Sequence, residues 1–208
     1  MTQVLRKFGV MGGTFDPVHY GHLVTAEAAR REFGLERVVF LPSGAPPHKD
    51  PTGVTDAEHR YMMTVLATLS NPHFDVSRVD IDREGVTYTV DSLRILREIY
   101  GESTELYFIT GADAILEIVS WKDPEKLLEL AHFIGATRPG FSLDRVPQST
   151  QEWLSHHPER VHMIKVPALA ISSTDIRERV RTGNSIRYLV PEPVEHYIKR
   201  HNLYKHNL

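Results

Sequence analysis

What most constrains the fold of this chain is a recurrence: short apolar runs alternate with stretches of helical periodicity along most of its length. Residues 8–11, 38–41, 106–109, 133–136 and 161–166 read as strands. The first four are nearly all apolar, the pattern of strands covered by helices on both sides. Residues 74–81 mix apolar and polar side chains, which puts that strand near an edge. Leu23, Ala26, Ala29 and Phe33 share one side of a helical wheel, and Gly34 supplies a C-terminal stop. A second helix is predicted with Met62, Val65, Leu66 and Leu69 on its apolar stripe, and a third from Thr89 to Tyr100, ending at Gly101. Strand, helix, strand, helix predicts right-handed crossovers and an α/β chain built on a doubly wound parallel sheet with helices on both faces. The proline- and glycine-rich stretch 43–55, "SGAPPHKDPTGVT", predicts a long loop over one end of that sheet.

With 208 residues, a net charge of -3 and 25% charged residues, the chain suits a single domain over 1–208, with a small C-terminal helical part over roughly 172–208. The absence of cysteine excludes a disulfide scaffold, a thiol nucleophile and a thiolate metal site. No segment has the apolar length to cross a bilayer, and residues 1–13 contain no long apolar stretch ending in a small-residue cleavage site. The expectation is a cytoplasmic protein without a membrane or nucleic-acid partner, the mild acidity giving no support to the latter. Arg177, Arg179, Arg181 and Arg187 form a local basic cluster that either holds a small anion or is a solvated helix face. Residues 141–160 suggest no function, and His156 and His157 there read as solvent-exposed.

In sheets of this kind ligands bind beyond the carboxyl ends of the strands, and the first strand runs straight into "MGGTFDPVHYGH" at 11–22. Gly12 and Gly13 let a ligand approach the backbone, whose N–H groups can face phosphate oxygens, although a Gly-Gly pair alone also fits a plain tight turn. A helix starting near Pro17 or Val18 puts His19 and His22 on one side of its first turn, where free N–H groups and the helix dipole favour an anion. A shared metal ion is the rival use of two histidines three residues apart, and without an H-E-x-x-H pattern it is the weaker one. Near the other end, Ser172, Ser173 and Thr174 in "ISSTDIR" precede a helix with Ile176 and Val180 on its stripe. That is a second anion-binding helix start, with Arg177 about one turn inside.

"GGTFDPVHYGH" and "ISSTDIR" resemble the two signatures, G-x-F-D-P-x-H-x-G-H and I-S-S-T-x-I-R, of the nucleotidyltransferase superfamily of α-phosphodiester-forming enzymes. "PPHK" at 46–49, "TYTVDSL" at 87–93, "ITGADAIL" at 109–116, Trp121, "ATRPG" at 136–140 and "IRYLVPEPVEHYI" at 186–198 narrow the resemblance to the bacterial nicotinate-mononucleotide adenylyltransferase family, over nearly the whole chain. The resemblance implies a Rossmann-like fold. It also implies transfer of AMP from ATP to nicotinate mononucleotide, giving deamido-NAD and pyrophosphate, a step of NAD biosynthesis. By position it makes His19, His22 and Arg177 catalytic, and gives ATP and its phosphates Gly12, Gly13, Thr14, Phe15, Lys49, Gly111, Asp113, Ile171, Ser172, Ser173 and Thr174. Trp121 is then expected to stack on the pyridine ring, with backbone N–H groups near Thr89 and Lys122 on the nicotinate carboxylate. Read without the resemblance, Trp121 fits a core position and Asp113 fits a cap for a helix beginning at Ala114.

The nucleophile of such a reaction is a phosphate with a second pKa of about 6, already mostly ionised at neutral pH. No general base is needed, which suits a motif that offers donors instead of paired carboxylates. Mg²⁺ is expected to arrive on the ATP phosphates, with no protein cage of its own. Nicotinamide mononucleotide or phosphopantetheine as acceptor is the alternative within the same chemistry. A nucleotide-binding module without turnover is the alternative outside it, and the histidines and Arg177 speak against that. Self-association is left open.

Overall fold

A computed structural model describes residues 5–46, 53–137, 148–167 and 170–205. Its fold is α/β and Rossmann-like, with one six-stranded sheet. The strands are β1 (Arg6–Gly13), β2 (Arg37–Pro42), β3 (Phe74–Val76), β4 (Thr104–Gly111), β5 (His132–Thr137) and β6 (Val161–Lys165). Their spatial order is β3-β2-β1-β4-β5-β6, the order of a doubly wound sheet. The β1–β4, β4–β5 and β5–β6 pairs are parallel.

The apolar runs become strands because they are covered on both faces. Four consecutive residues of β1, five of β2, and four each of β4 and β5 are buried, whereas the edge strands β3 and β6 keep mostly part-exposed side chains. Phe8, Val10, Phe40, Ile109, Phe133 and Ile134 are core residues, each worth about 1.5–3 kcal/mol of transfer free energy. β3 is shorter than residues 74–81 predict. After Ser77 the chain turns, with the Val79 N–H donating to the Ser77 hydroxyl and Arg78 drawn into ion pairs with Glu58 and Asp82.

Eight α-helices among the described residues accompany these strands, the last two following β6: α1 (Tyr20–Phe33), α2 (Ala57–Thr68), α3 (Thr89–Tyr100), α4 (Ala112–Leu116), α5 (Pro124–Leu130), α6 (Gln148–Ser155), α7 (Ser173–Arg181) and α8 (Glu192–Arg200). The stops match the sequence reading, with Gly34 and Gly101 in left-handed backbone just past α1 and α3. Two expectations change. The first helix begins at Tyr20, and His19 precedes it, its carbonyl accepting from the His22 and Leu23 N–H groups. On α2 the buried face is not the predicted apolar stripe: Met62 is 40% and Leu69 71% exposed, while Arg60, Met63, Thr64, Ala67 and Thr68 are buried. The two threonines can be buried because their hydroxyls donate to Arg60 O and Thr64 O, one turn back on the helix. Arg60 can be buried because three carbonyls receive it.

The chain forms two compact units. The first comprises Met1–Gly12, Thr25–Val38 and Tyr88–Ala168, and the second Gly13–Val24, Val39–Thr87 and Leu169–Leu208. In the first unit the strand order reverses between β1 and β4, where Met11 pairs with Ile109. Gly12 and Gly111 therefore leave neighbouring strands at the same end, the switch point at which ligands bind in such sheets. No helix among the described residues is long and apolar enough to cross a membrane.

Candidate active site

The second unit brings both signature motifs onto one loop. After β1 the chain runs through Thr14 and Phe15 to a cis Asp16–Pro17 bond. Phe15 has φ of 51°, left-handed backbone that an aromatic residue rarely adopts, and its ring is buried 5.7 Å from that of Phe40. The same ring meets His22 edge-on, with centroids 5.0 Å apart and planes at 83°. His22 also stacks on His19 at 3.7 Å, and its Nδ1 accepts from the His19 backbone N–H at 3.2 Å. With Nδ1 an acceptor, the proton of the neutral ring sits on Nε2, so His22 presents one N–H donor of fixed direction.

Helix α7 closes on this loop from the far end of the chain. Ser172 caps it, its hydroxyl accepting from the Asp175 N–H at 3.1 Å. The Ser173 hydroxyl donates to Pro17 O at 2.9 Å, and Arg177 Nη1 donates to Asp16 O at 2.7 Å. Arg177 Nη2 reaches Thr174 Oγ1 at 3.4 Å, leaving the guanidinium part-exposed beside the helix start. Ile171, buried just before the cap, anchors the approach. Two helix N-termini, an imidazole donor and a guanidinium thus share one loop, an arrangement suited to a multiply charged anion. The other arginines of the basic cluster are otherwise engaged: Arg179 pairs with Asp175, Arg181 with Glu178, and Arg187 lies 5.5 Å from the Tyr188 ring.

A second layer under the loop has no clear signal in the sequence. Asp16 is 2% exposed; its Oδ1 accepts from the Tyr204 hydroxyl at 2.7 Å and its Oδ2 from the Thr55 N–H at 3.2 Å. Arg60, 1% exposed, donates from Nη1 to Thr14 O, from Nη2 to Gly44 O and from Nε to Thr55 O, at 2.8–2.9 Å. Burial lowers the Arg60 pKa, against the nearby Asp16 carboxylate, which raises it. Asp16 belongs to the quoted motif yet reads there as a turn residue. Arg60 lies three residues before Met63, on the face that the apolar pattern misassigns.

The remaining candidates lie in the first unit or outside the described residues. Gly111 ends β4 and precedes α4, and Asp113 is exposed inside α4, which starts at Ala112 and not at Ala114. At Gly12 a Cβ would stand 2.5 Å from the Phe108 ring, so its side-chain space belongs to the core. Thr89 opens α3. Trp121 is part-exposed, with Phe108 edge-on at 6.1 Å and Phe133 edge-on at 6.4 Å. Lys122 bonds Asp91 at 3.0 Å and lies 4.6 Å from the Tyr88 ring, which occupies its side chain and suits a backbone role. Lys49, part of "PPHK", residues 138–140 of "ATRPG" and most of the 43–55 loop tip lie outside the described residues.

Residues 10–179 match the cytidylyltransferase-like family model, which sets the class of the protein. A "probable nicotinate-nucleotide adenylyltransferase" of Moorella thermoacetica is 60% identical over 97% of this chain and 93% of its own length. One of Thermoanaerobacter sp. is 55% identical over 96% of this chain and 94% of its own. The chain belongs to the nicotinate-nucleotide adenylyltransferase family. Among solved structures, the Plasmodium falciparum nicotinic acid mononucleotide adenylyltransferase complexed with NaAD has the same fold, with a TM-score of 0.77 at 24% identity, covering 96% of this chain and 97% of that one.

Proposed function

We propose that this chain transfers AMP from ATP to nicotinate mononucleotide, releasing pyrophosphate and forming deamido-NAD. The acceptor's phosphate oxygen attacks the α-phosphorus of ATP; a new P–O–P bond forms as the α–β anhydride bond breaks, and pyrophosphate leaves. The attacking oxygen is already ionised, so the protein supplies position and charge neutralisation. The observation that carries this reading is the convergence of His22, Ser173 and Arg177 on the one loop, with His22 held as an Nε2–H donor.

His22 and Arg177 are assigned to charge developing on the triphosphate, and His19 to the same anion and to the stacking that holds His22. The N–H groups at Gly12, Gly13 and the α7 start, with Thr14, Phe15, Ile171, Ser172 and Thr174, are assigned to seating ATP. Gly111 and Asp113 are assigned to the ribose, Trp121 to the pyridine face, and the backbone at Thr89 and Lys122 to the nicotinate carboxylate. Lys49 is assigned to the phosphates from its place in the motif alone. ATP enters as its Mg²⁺ complex, the ion neutralising phosphate oxygens. Asp16, the one carboxylate in the loop, is taken up by Tyr204 and Thr55, which fits an ion carried by the substrate.

His22→Ala removes a donor aimed at the transition state and is expected to lower kcat by about 10²–10³-fold, with the melting temperature little changed. A His22→Ala enzyme with wild-type kcat contradicts the assignment.

A further inference from the structure

The proposed reaction gives no task to the buried pair Asp16 and Tyr204, 188 residues apart in sequence and joined at 2.7 Å. Around them, three carbonyls of the loop are held from two helices: Thr14 O by Arg60 of α2, and Asp16 O and Pro17 O by Arg177 and Ser173 of α7. The segment between them contains Phe15, whose left-handed backbone persists only where the surroundings over-determine it, and whose ring touches His22. Tyr204 is itself left-handed, with φ of 65°, and buried beyond the end of α8. Of the five non-glycine residues with positive φ among the described residues, these two are the buried ones, and both belong to this assembly. Burial, then the charge of Asp16, push the Tyr204 phenol well above its ordinary pKa, so it remains a donor across the working range.

We propose that Tyr204 is a positioning residue for the adenylyl transfer: its hydroxyl, acting through the Asp16 carboxylate, holds the 14–17 loop so that His22 and Arg177 face the triphosphate. The proposal rests on the reading of His22 and Arg177 given above. Asp16 is gripped at both oxygens, by Tyr204 on one and the Thr55 N–H on the other, so loss of the hydroxyl leaves its carboxylate held at one oxygen only and loosens the residue whose main-chain carbonyl receives Arg177. A tyrosine that merely anchored the chain end would affect melting and leave turnover per folded molecule intact.

The test is steady-state kinetics of Tyr204→Phe, Asp16→Asn and the double variant with ATP and nicotinate mononucleotide, beside thermal melts of each. Tyr204→Phe is expected to lower kcat about 10–100-fold, as misplacement of a reacting group by about 1 Å does, while KM for the acceptor stays within about threefold. The double variant is expected to be no slower than the slower single one, because both act through one contact. Wild-type kcat in a folded Tyr204→Phe protein, or losses that multiply in the double variant, overturn the proposal. If Tyr204→Phe does not fold, Asp16→Asn decides: lowered kcat at unchanged acceptor KM supports the proposal, and wild-type kcat overturns it. His22→Ala in the same assay separates the two ideas. A fast His22→Ala overturns the reading of the motif, while a slow His22→Ala beside a fast Tyr204→Phe overturns the positioning role alone.

Discussion

Three backbone carbonyls, of Thr14, Gly44 and Thr55, point at the guanidinium of Arg60, and none of them has the geometry of regular secondary structure to fall back on. Gly44 lies where a Cβ would come 2.1 Å from Asp80 O, so the loops around Arg60 are packed backbone against backbone. Replacing Arg60 by Met keeps most of the volume and takes the donor from one buried and two part-buried carbonyls. We expect a loss of about 3–5 kcal/mol in chemical denaturation, the cost of breaking a buried polar assembly at one partner. A loss below about 1 kcal/mol would mean that water reaches those carbonyls. The sequence shows why such a residue escapes notice. His19, His22, Ser173 and Arg177 are legible because two spaced motifs announce them, whereas Arg60 acts through main-chain atoms far away in sequence, and no spacing rule encodes those. Asp16 and Tyr204 are the same case at a separation of 188 residues.

At the scale of elements, strands were more legible than helix faces. A parallel strand buried on both sides has to be apolar throughout, so β1, β2, β4 and β5 stand out, with ends shifted by a residue or two. Helix α2 misleads because its threonines and arginine meet their hydrogen-bonding needs on the buried side, while Met62 and Leu69 are left outside. The β4–β5–β6 neighbourhood gives a test at this scale. His132 stacks on Tyr107 at 4.6 Å, its Nδ1 lies 3.3 Å from His162 Nε2, and its Nε2 faces Arg160 Nη1 at 3.3 Å. Glu105 and Lys7 approach the same tyrosine, and Phe33 packs on His162. Burial lowers both histidine pKa values, with Arg160 and His162 adding to the effect on His132. The unfolded chain therefore binds more protons than the folded one as pH falls through about 6.5, the ordinary imidazole value. Stability from this cluster is full above about pH 6.5 and is lost below it. Melting temperature is expected to fall between about pH 7.5 and about pH 5.5, and less steeply in His132→Asn/His162→Asn. Identical slopes in the two proteins would contradict the role of the cluster.

For the whole molecule, the doubly wound sheet follows from the order of its elements, and ligand binding beyond the strand ends follows from the sheet. Family membership then narrows the chemistry to adenylyl transfer onto a pyridine nucleotide. Choice of acceptor is the property on which the account depends most, because Trp121 and the start of α3 are assigned to a flat ring bearing a carboxylate. The most direct measurement is pyrophosphate release from ATP and Mg²⁺ with nicotinate mononucleotide, nicotinamide mononucleotide and phosphopantetheine in parallel. The expected kcat/KM for nicotinate mononucleotide is at least about tenfold above the other two, a difference of about 1.4 kcal/mol in transition-state binding. Equal values for the acid and the amide would contradict the assigned carboxylate contacts, and release with phosphopantetheine alone would contradict the proposed function.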